Sequence, residues 1–358
     1  MAPNRQTGKR PTLKDVAVAA GVSLSTASLV FSGKGPVSPE TGAKVRAAAD
    51  ALGYAGPDPL AASLRQGRSG TVAVIVEGSL ADAFADPFAV RVMDGLASAL
   101  DEIPAGLLLL SRQSSAHDRL LAQLSSAAID AVVMPLCGPV TDPVVEPMVA
   151  RGIPMIGSGA PDDPRVNQIK VDERGAMSTM ARHVADLGHT RVAHVTMNLT
   201  NDAVTRRIPA SAVSAATYPD ARDRALGLLD VFPDADLVEA GWADLAHGEE
   251  AARRLLDVDP TQRPTAIVAQ SDLLAAGVVR VAAELGLSVP GDLSVTGFDG
   301  LDLPWLDVHL TTVVQDGQTK GRALGAMVAA ALQGRATTSR EFPVTVRLGD
   351  TTTAPADW

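Results

Sequence analysis

TLKDVAVAAGVSLSTASLVFSGKGPVSPETGAKVRAAADALGYAGPDPLAASLRQGRS, residues 12–69, sets three short helical patterns and their caps in one span and then adds a fourth. Thr12 is a good N-cap, and Asp15 stands three residues on, where a carboxylate bonds back to the cap and complements the helix dipole. Leu13, Val16, Ala17 and Ala20 follow at helical spacing. Gly21 breaks that helix and Ser23 caps the next one. Two helices joined by so short a Gly-containing turn must cross steeply, as in a helix-turn-helix. The second pattern, Leu24 to Ser32, is expected to bury Ala27 and Val30 and to leave Leu24, Ser25, Ser28 and Leu29 on outer faces. Ser38 caps a third helix that Pro39 opens, with a stripe of Val45, Ala48, Ala49 and Leu52, and Gly53 ends it.

The rest of the chain bounds what such a unit is attached to. The 358 residues are 46% apolar with a net charge of −10, enough for two or three domains and a sizeable core. The charge is uneven: residues 1–68 carry nine Lys or Arg against four Asp or Glu, and the remainder 22 against 37. A basic head on an acidic body fits a phosphate-binding module joined to something else. Cys137 is the single cysteine, so no disulfide forms within the chain, which suits a reducing compartment. The first residues, MAPNRQTGKR, lack the apolar core of a signal peptide, and no stretch reaches the length of a membrane span. A cytoplasmic location without membrane contact is the expectation.

TLKDVA (12–17), AGVS (20–23), ST (25–26), VSPET (37–41), KV (44–45), LGY (52–54) and PLAASLR (59–65) occur here in one order. Together they resemble the N-terminal headpiece of the LacI/GalR (lactose-repressor) family of bacterial transcription regulators. The resemblance implies that the second helix lies in a DNA major groove with its N-terminal residues at the base edges. Leu24, Ser25 and Leu29 then take base-reading positions, Ser23, Thr26 and Ser28 are placed for phosphate bonds, and Thr12, Ser38 and Tyr54 join the DNA-contacting set. Many relatives carry Arg where this chain has Leu29. Arg reads guanine with two hydrogen bonds, whereas Leu offers apolar contact, for instance to a thymine methyl. An altered operator preference at that base pair follows. PDPLAASLRQ (57–66) resembles the hinge helix of the family, too short to be stable alone in water. By the same resemblance Leu64 wedges into the minor groove and Ala61 lines the contact between two hinges.

From Gly70 onward strand and helix patterns alternate, beginning with TVAVIV (71–76) and PFAVRVMDGLASALDEI (87–103), in which Val90, Met93, Leu96, Ala97 and Leu100 are expected inward. Two such series imply parallel sheets covered on both faces. The expected fold is an all-α helix-turn-helix headpiece plus an α/β periplasmic-binding-protein-like core of two Rossmann-like lobes. The division is 1–56 headpiece, 57–69 hinge helix and linker, and 70–358 effector-binding and dimerisation core. The first lobe takes about 70–170 and 315–340, the second about 171–314 and 341–358. The resemblance places three crossings between lobes near 169–172, 310–315 and 339–342, and a small molecule in the cleft at the C-terminal strand ends.

Arg224 in RALG matches the family's Arg-x-x-Gly, and Asp299 in GFDG its Gly-Phe-Asp; an Arg fork and a carboxylate there can hold hydroxyls. Asp272 in QSD matches an Asn-Asp pair, with Ser271 in place of the Asn. Trp242 can stack on a ring, Glu77 and Phe88 are expected to face the cleft from the first lobe, and Gln315 lies at a crossing. Asp172 is expected to cap the helix that begins near Gly175. The stretch 197–220 is longer than the family usually shows and reads as a lid or a determinant of ligand choice.

No cofactor is expected. No G-x-G-x-x-G follows the first strand, and no Walker, HExxH or G-x-S-x-G sequence occurs. His183, His189 and His194 are spaced by six and five, which puts them on no common helix face and argues against a metal. With 3% aromatics, stacking on single-stranded nucleic acid is disfavoured. The expected function is a ligand-responsive regulator, a repressor, that binds a palindromic double-stranded operator as a homodimer. A solute-binding protein with a basic appendage would need a signal peptide, and an α/β enzyme would need a catalytic pair; neither is evident.

Overall fold

The structure is a computed structural model and describes residues 11–33, 35–56, 68–113 and 117–356. The expected hinge, with Ala61 and Leu64, lies outside the described residues. The chain divides into two compact units, 1–69 and 70–358.

The first unit holds α1 (Leu13–Ala20), α2 (Leu24–Ser32) and α3 (Pro39–Leu52). The caps are those the sequence supplies. The Thr12 amide donates to Asp15 Oδ2 at 2.8 Å, and Ser23 Oγ and Ser38 Oγ accept from the amides of Thr26 and Thr41 at 3.1 and 3.2 Å. Each such cap stabilises its helix by roughly 1 kcal/mol. Gly21 takes φ 66°, a left-handed conformation that costs glycine little, and there the axis turns by 109° into α2. Val16, Ala17, Ala27, Val45 and Ala49 form the small core, and the Phe31 and Tyr54 rings meet edge-on at 5.4 Å. Three expectations fail here, the first being Val30, which is half-buried where burial was expected. Leu52 is 40% exposed, because the α3 stripe ends with Ala49. Leu29 and Ser28 are half-buried, not on an open face: the Leu29 methyls fold against Gly35 in the following loop.

The second unit contains two sheets. The first has the order β12-β5-β4-β3-β1-β2, all parallel. Its strands are β1 (Thr71–Glu77), β2 (Gly106–Arg112), β3 (Ala131–Met134), β4 (Met155–Ser158), β5 (Val166–Lys170) and β12 (Arg340–Glu341). Between them run α4 (Leu80–Ala85), α5 (Pro87–Leu100), α6 (His117–Ser126) and α7 (Val145–Ala150). Along β1 the period of two is plain. Val72, Val74 and Val76 pack with Leu96, Leu100 and Leu324, while Ala73 and Ile75 pack with Leu120, Leu124 and Met148 on the other face.

The second sheet has the order β13-β11-β10-β9-β6-β8-β7, with only the two edge strands antiparallel. It comprises β6 (Val192–Thr196), β7 (Arg206–Ile208), β8 (Asp236–Glu239), β9 (Ala266–Ala269), β10 (Ser294–Asp299), β11 (Thr311–Val314) and β13 (Thr345–Arg347). The helices α8 (Glu173–Asp186), α9 (Pro219–Leu229), α10 (Leu245–Leu256) and α11 (Asp272–Glu284) cover it, and α12 (Gly317–Leu332) returns to the first sheet against α5. Asp172 caps α8 through the Gly175 amide at 2.9 Å. The chain passes from one sheet to the other after β5, after β11 and after β12.

Within the first lobe Val90 is 40% exposed, and Val92 is the buried residue. The reason lies in α12. The buried face of α5 is centred on Val92, Gly95 and Leu96, and Gly95 and Gly321 bring the two helix backbones into contact. β5 goes unread in the sequence because its VNQIK pattern places a buried amide, Gln168, on an inner face.

The long 197–220 segment is ordered. It supplies β7, a 3-10 turn over Ala210–Ala215, and the buried side chains of Leu199, Val213, Ala216 and Tyr218. Buried Glu239 anchors it, accepting from the Leu199 amide at 2.8 Å and pairing with Arg206 at 2.8 Å.

Candidate functional site

The C-terminal ends of the parallel strands of both lobes face one cavity of about 180 Å³. From the first lobe come Glu77 at the end of β1 and Phe88 in the first turn of α5. From the second come Arg224 on α9, Trp242 after β8, Ser271 after β9 and Asp299 at the end of β10, and Gln315 stands at the crossing after β11. Of the residues predicted from sequence, Asp272 does not line the cavity. Its carboxylate is drawn under the strand ends, where it accepts from Thr312 Oγ1 and from the Leu301 amide, both at 2.6 Å. Ser271 also serves as the N-cap of α11 through the Leu274 amide.

Arg224 is 3% exposed and held by neighbours on several sides. Its Nε donates to Glu173 Oε2 at 2.7 Å, one terminal nitrogen donates to the Gln270 carbonyl at 2.6 Å, and the guanidinium lies 3.6 Å over the Phe298 ring. Burial alone would lower its pKa, but Glu173 and Asp299 hold it above the ordinary value. Asp299 has φ 124° although it is not glycine, a strained conformation of the kind that persists where surrounding structure over-determines it. Gln315 Nε2 donates to its Oδ1 at 2.8 Å. Burial raises the Asp299 pKa well above the carboxylate range, Arg224 opposes that, and Asp272 adds to it.

Glu77 shows how the two lobes meet. Its Oε2 pairs with Arg112 at 3.2 Å, and its Oε1 accepts from the Tyr218 hydroxyl of the other lobe at 3.1 Å. Arg112 is paired in turn with Asp142. Burial raises the Glu77 pKa, and the Arg112 charge and the Tyr218 bond pull against it. Beside this contact the Val140 amide donates to the Thr217 carbonyl at 2.8 Å. A methyl group built on Gly78 would stand 2.6 Å from the Trp242 ring, so the indole lies directly over the first lobe.

Tyr218, Asp220 and Cys137 also line the cavity, with Arg112 behind Glu77, and none of them was read from the sequence. Asp220 precedes Arg224 by one helical turn in α9, an i,i+4 spacing that was a usable signal. Tyr218 carried none, because the preceding segment reads as a polar loop. A second hollow of about 250 Å³ continues past Asp220 and Arg224 toward Ser158–Ala160 and Lys320. Among the described residues no group of three or more His, Cys, Asp or Glu side chains is arranged to hold a metal ion, and no single helix is long and apolar enough to cross a membrane.

The model for bacterial regulatory proteins of the lacI family matches residues 12–56, and that for the periplasmic binding protein-like domain matches 181–352. An HTH-type transcriptional regulator of Mycobacterium tuberculosis is 33% identical over 330 residues, covering 89% of this chain and 90% of that protein. The chain belongs to the LacI family.

Among solved structures, this LacI-family regulator is similar to the Lac repressor dimer bound to operator and the anti-inducer ONPF. The TM-score is 0.74 at 25% identity, over 97% of this chain and 100% of that one. It shares its fold with the transcriptional regulator CelR in complex with cellobiose, with a TM-score of 0.65 at 24% identity over 96% and 100%. It is thus a DNA-binding transcription regulator, not an enzyme.

In the head, Leu24 is 52% exposed at the start of α2, beside the Ser23 cap, and the Ser23 and Thr26 hydroxyls are bonded to each other at 2.8 Å. Thr12, Ser25 and Ser38 are exposed, and Tyr54 is half-buried against Phe31.

Proposed function

We propose that this LacI-family regulator is a repressor that binds a palindromic operator as a homodimer and answers to a small molecule, a sugar or related metabolite, in the cavity between its lobes. The observation that carries the reading is the cavity itself. It is walled by both lobes, crossed by the chain after β5, β11 and β12, and lies on the same polypeptide as a capped helix-turn-helix. The cellobiose held by the CelR structure and the operator held by the Lac repressor structure support the same assignment.

In this reading residues 1–56 are the head, 57–69 the hinge and 70–358 the sensing and pairing body. Leu24, Ser25 and Leu29 meet base edges, while Ser23, Thr26, Ser28, Thr12, Ser38 and Tyr54 meet the backbone. By the family resemblance Leu64 meets the minor groove and Ala61 the partner hinge; both lie outside the described residues. The effector is held by Glu77, Phe88, Arg224, Trp242, Ser271, Asp299 and Gln315. Asp272 acts beneath them, fixing the strand ends through Thr312 and Leu301. Closing the lobes changes the spacing of two hinges, so each site biases the same two-state body. The protein then works beside DNA in the bacterial cytoplasm.

A gel shift with the DNA upstream of its own operon, run with and without candidate sugars, tests this. The expectation is a dimer by sedimentation, a sequence-specific shift, and a change of roughly 5–150-fold in affinity with effector. A monomer at micromolar concentration, indifferent to sequence, contradicts it.

A further inference from the structure

Carboxylates outnumber cations around the effector cavity, even with Arg112 paired to Glu77 and Lys320 beside Gln315 and Phe88. Glu77, Asp82, Asp86, Asp220, Asp244 and Asp299 line it, against Arg224. Three of the six have structural work. Asp82 closes the capping box of α4, Asp86 caps α5 through the Phe88 amide, and Asp244 caps α10 through the His247 amide. Glu77 is held by Arg112 and Tyr218, and Asp299 by Gln315.

Asp220 is different. Both of its carboxylate oxygens are buried without a nitrogen or oxygen donor, and only the weakly donating Cys137 thiol stands beside them. A buried carboxylate so weakly partnered is costly, and native proteins keep one only where something else completes it. Arg224 is nearby but already faces Glu173 and Asp299 as well, so one guanidinium serves three carboxylates. Of the Phe88 and Trp242 rings in the wall, Phe88 already has the Lys320 ammonium 5.8 Å from its ring centroid, which leaves the Trp242 indole to attract a cationic ligand.

We infer that the effector is a small cation rich in hydrogen-bond donors, a protonated amine set among hydroxyls, with Asp220 taking the ammonium group, and that phosphorylated and acidic metabolites are excluded. This rests on the assignment of the cavity as the effector site and narrows its ligand class. An acidic ligand would add a charge to a low-dielectric site that already holds an excess of carboxylates. An amine supplies donors to the two buried Asp220 oxygens and lies against the Trp242 ring.

Cys137 offers a direct probe. It is the single cysteine of the chain, it is exposed, and it lines both hollows beside Asp220. The full-length protein is treated with two methanethiosulfonates of equal size, one carrying trimethylammonium and one carrying sulfonate, and the rates of Cys137 modification are compared. The ratio is normalised to that of the urea-unfolded chain, which removes the intrinsic difference between the reagents. The expected result is a cation-to-anion ratio at least tenfold above the unfolded value, falling severalfold in Asp220→Asn. A ratio at or below the unfolded value overturns the inference, as does a ratio unmoved by Asp220→Asn. The effect of each adduct on DNA affinity is read separately. A charge preference that fails while the adducts still alter DNA binding leaves the effector-site assignment standing.

Discussion

Tyr218→Phe removes one hydroxyl and little else. The Tyr218 ring is 3% exposed and belongs to the core of the second lobe, and phenylalanine keeps that packing. What is lost is the 3.1 Å hydrogen bond to Glu77 Oε1 across the cleft. A hydrogen bond to a charged acceptor contributes about 1.5–3 kcal/mol net. Each 1.4 kcal/mol is a factor of ten, so the closed arrangement loses roughly tenfold to a hundredfold relative to an open one. Glu77 Oε2 keeps Arg112, so the carboxylate remains paired in the first lobe and the fold is retained. Trp242 reports the change because it lies over Gly78 of the opposite lobe. In a background with Trp305→Phe and Trp358→Phe, the variant is expected to show red-shifted emission and faster iodide quenching, with a urea midpoint close to the parent. Emission and quenching identical to the parent would refute the view that this bond holds the lobes together, and so would a collapse of the urea midpoint.

Gly321→Ala should destabilise the body. Alanine gains about 1 kcal/mol of helix propensity, but its Cβ falls on the Val92 carbonyl of α5, and such overpacking costs about 1–3 kcal/mol or more. A higher urea midpoint in the variant would contradict the close crossing of α5 and α12. His194 donates from Nδ1 to the Val268 carbonyl at 2.7 Å, and burial lowers its pKa to about 4 from the usual 6.5. The folded state therefore resists the proton: stability is full above pH 6.5 and falls by about 3 kcal/mol as pH drops to 4, after which this residue adds no further loss. An imidazole NMR titration of the native protein with a midpoint near 6.5 would exclude this. Leu29→Arg places a two-donor guanidinium at a position that the proposed function assigns to base reading. Selection from random duplexes should then enrich guanine at one position of each half-site, worth about 1–3 kcal/mol; an unchanged consensus would remove Leu29 from the base-reading set.

The head was legible almost to the residue, because caps and glycine stops act locally. Thr12 with Asp15, Ser23, Ser38, Gly21 and Gly53 all appear where the chain order puts them. The alternation of strands and helices was equally legible, since buried parallel strands read as apolar runs. What failed was whatever depends on a distant partner. Val90 and Val92 cannot be ranked without knowing that α12 touches α5 at Gly95. Leu29 looks outward on α2 until the loop at Gly35 folds back on it. In the cavity, residues carried by short motifs were found, whereas Tyr218 and Arg112 act through a pairing between lobes that no local pattern encodes. Asp272 sits in a motif like the others, yet Thr312, forty residues on, turns its carboxylate away from the cavity.

The central claim is that filling the cleft changes the grip on DNA, and it can be tested before the effector is known. The full-length protein is offered a duplex that it has itself selected from random sequence, and its dissociation constant is measured before and after stoichiometric attachment of a trimethylammonium-ethyl group to Cys137, with Cys137→Ser treated in parallel. A change of at least fivefold in the modified protein, with the serine variant unaffected, is the predicted result. Equal affinity before and after complete modification contradicts the coupling between cavity and DNA.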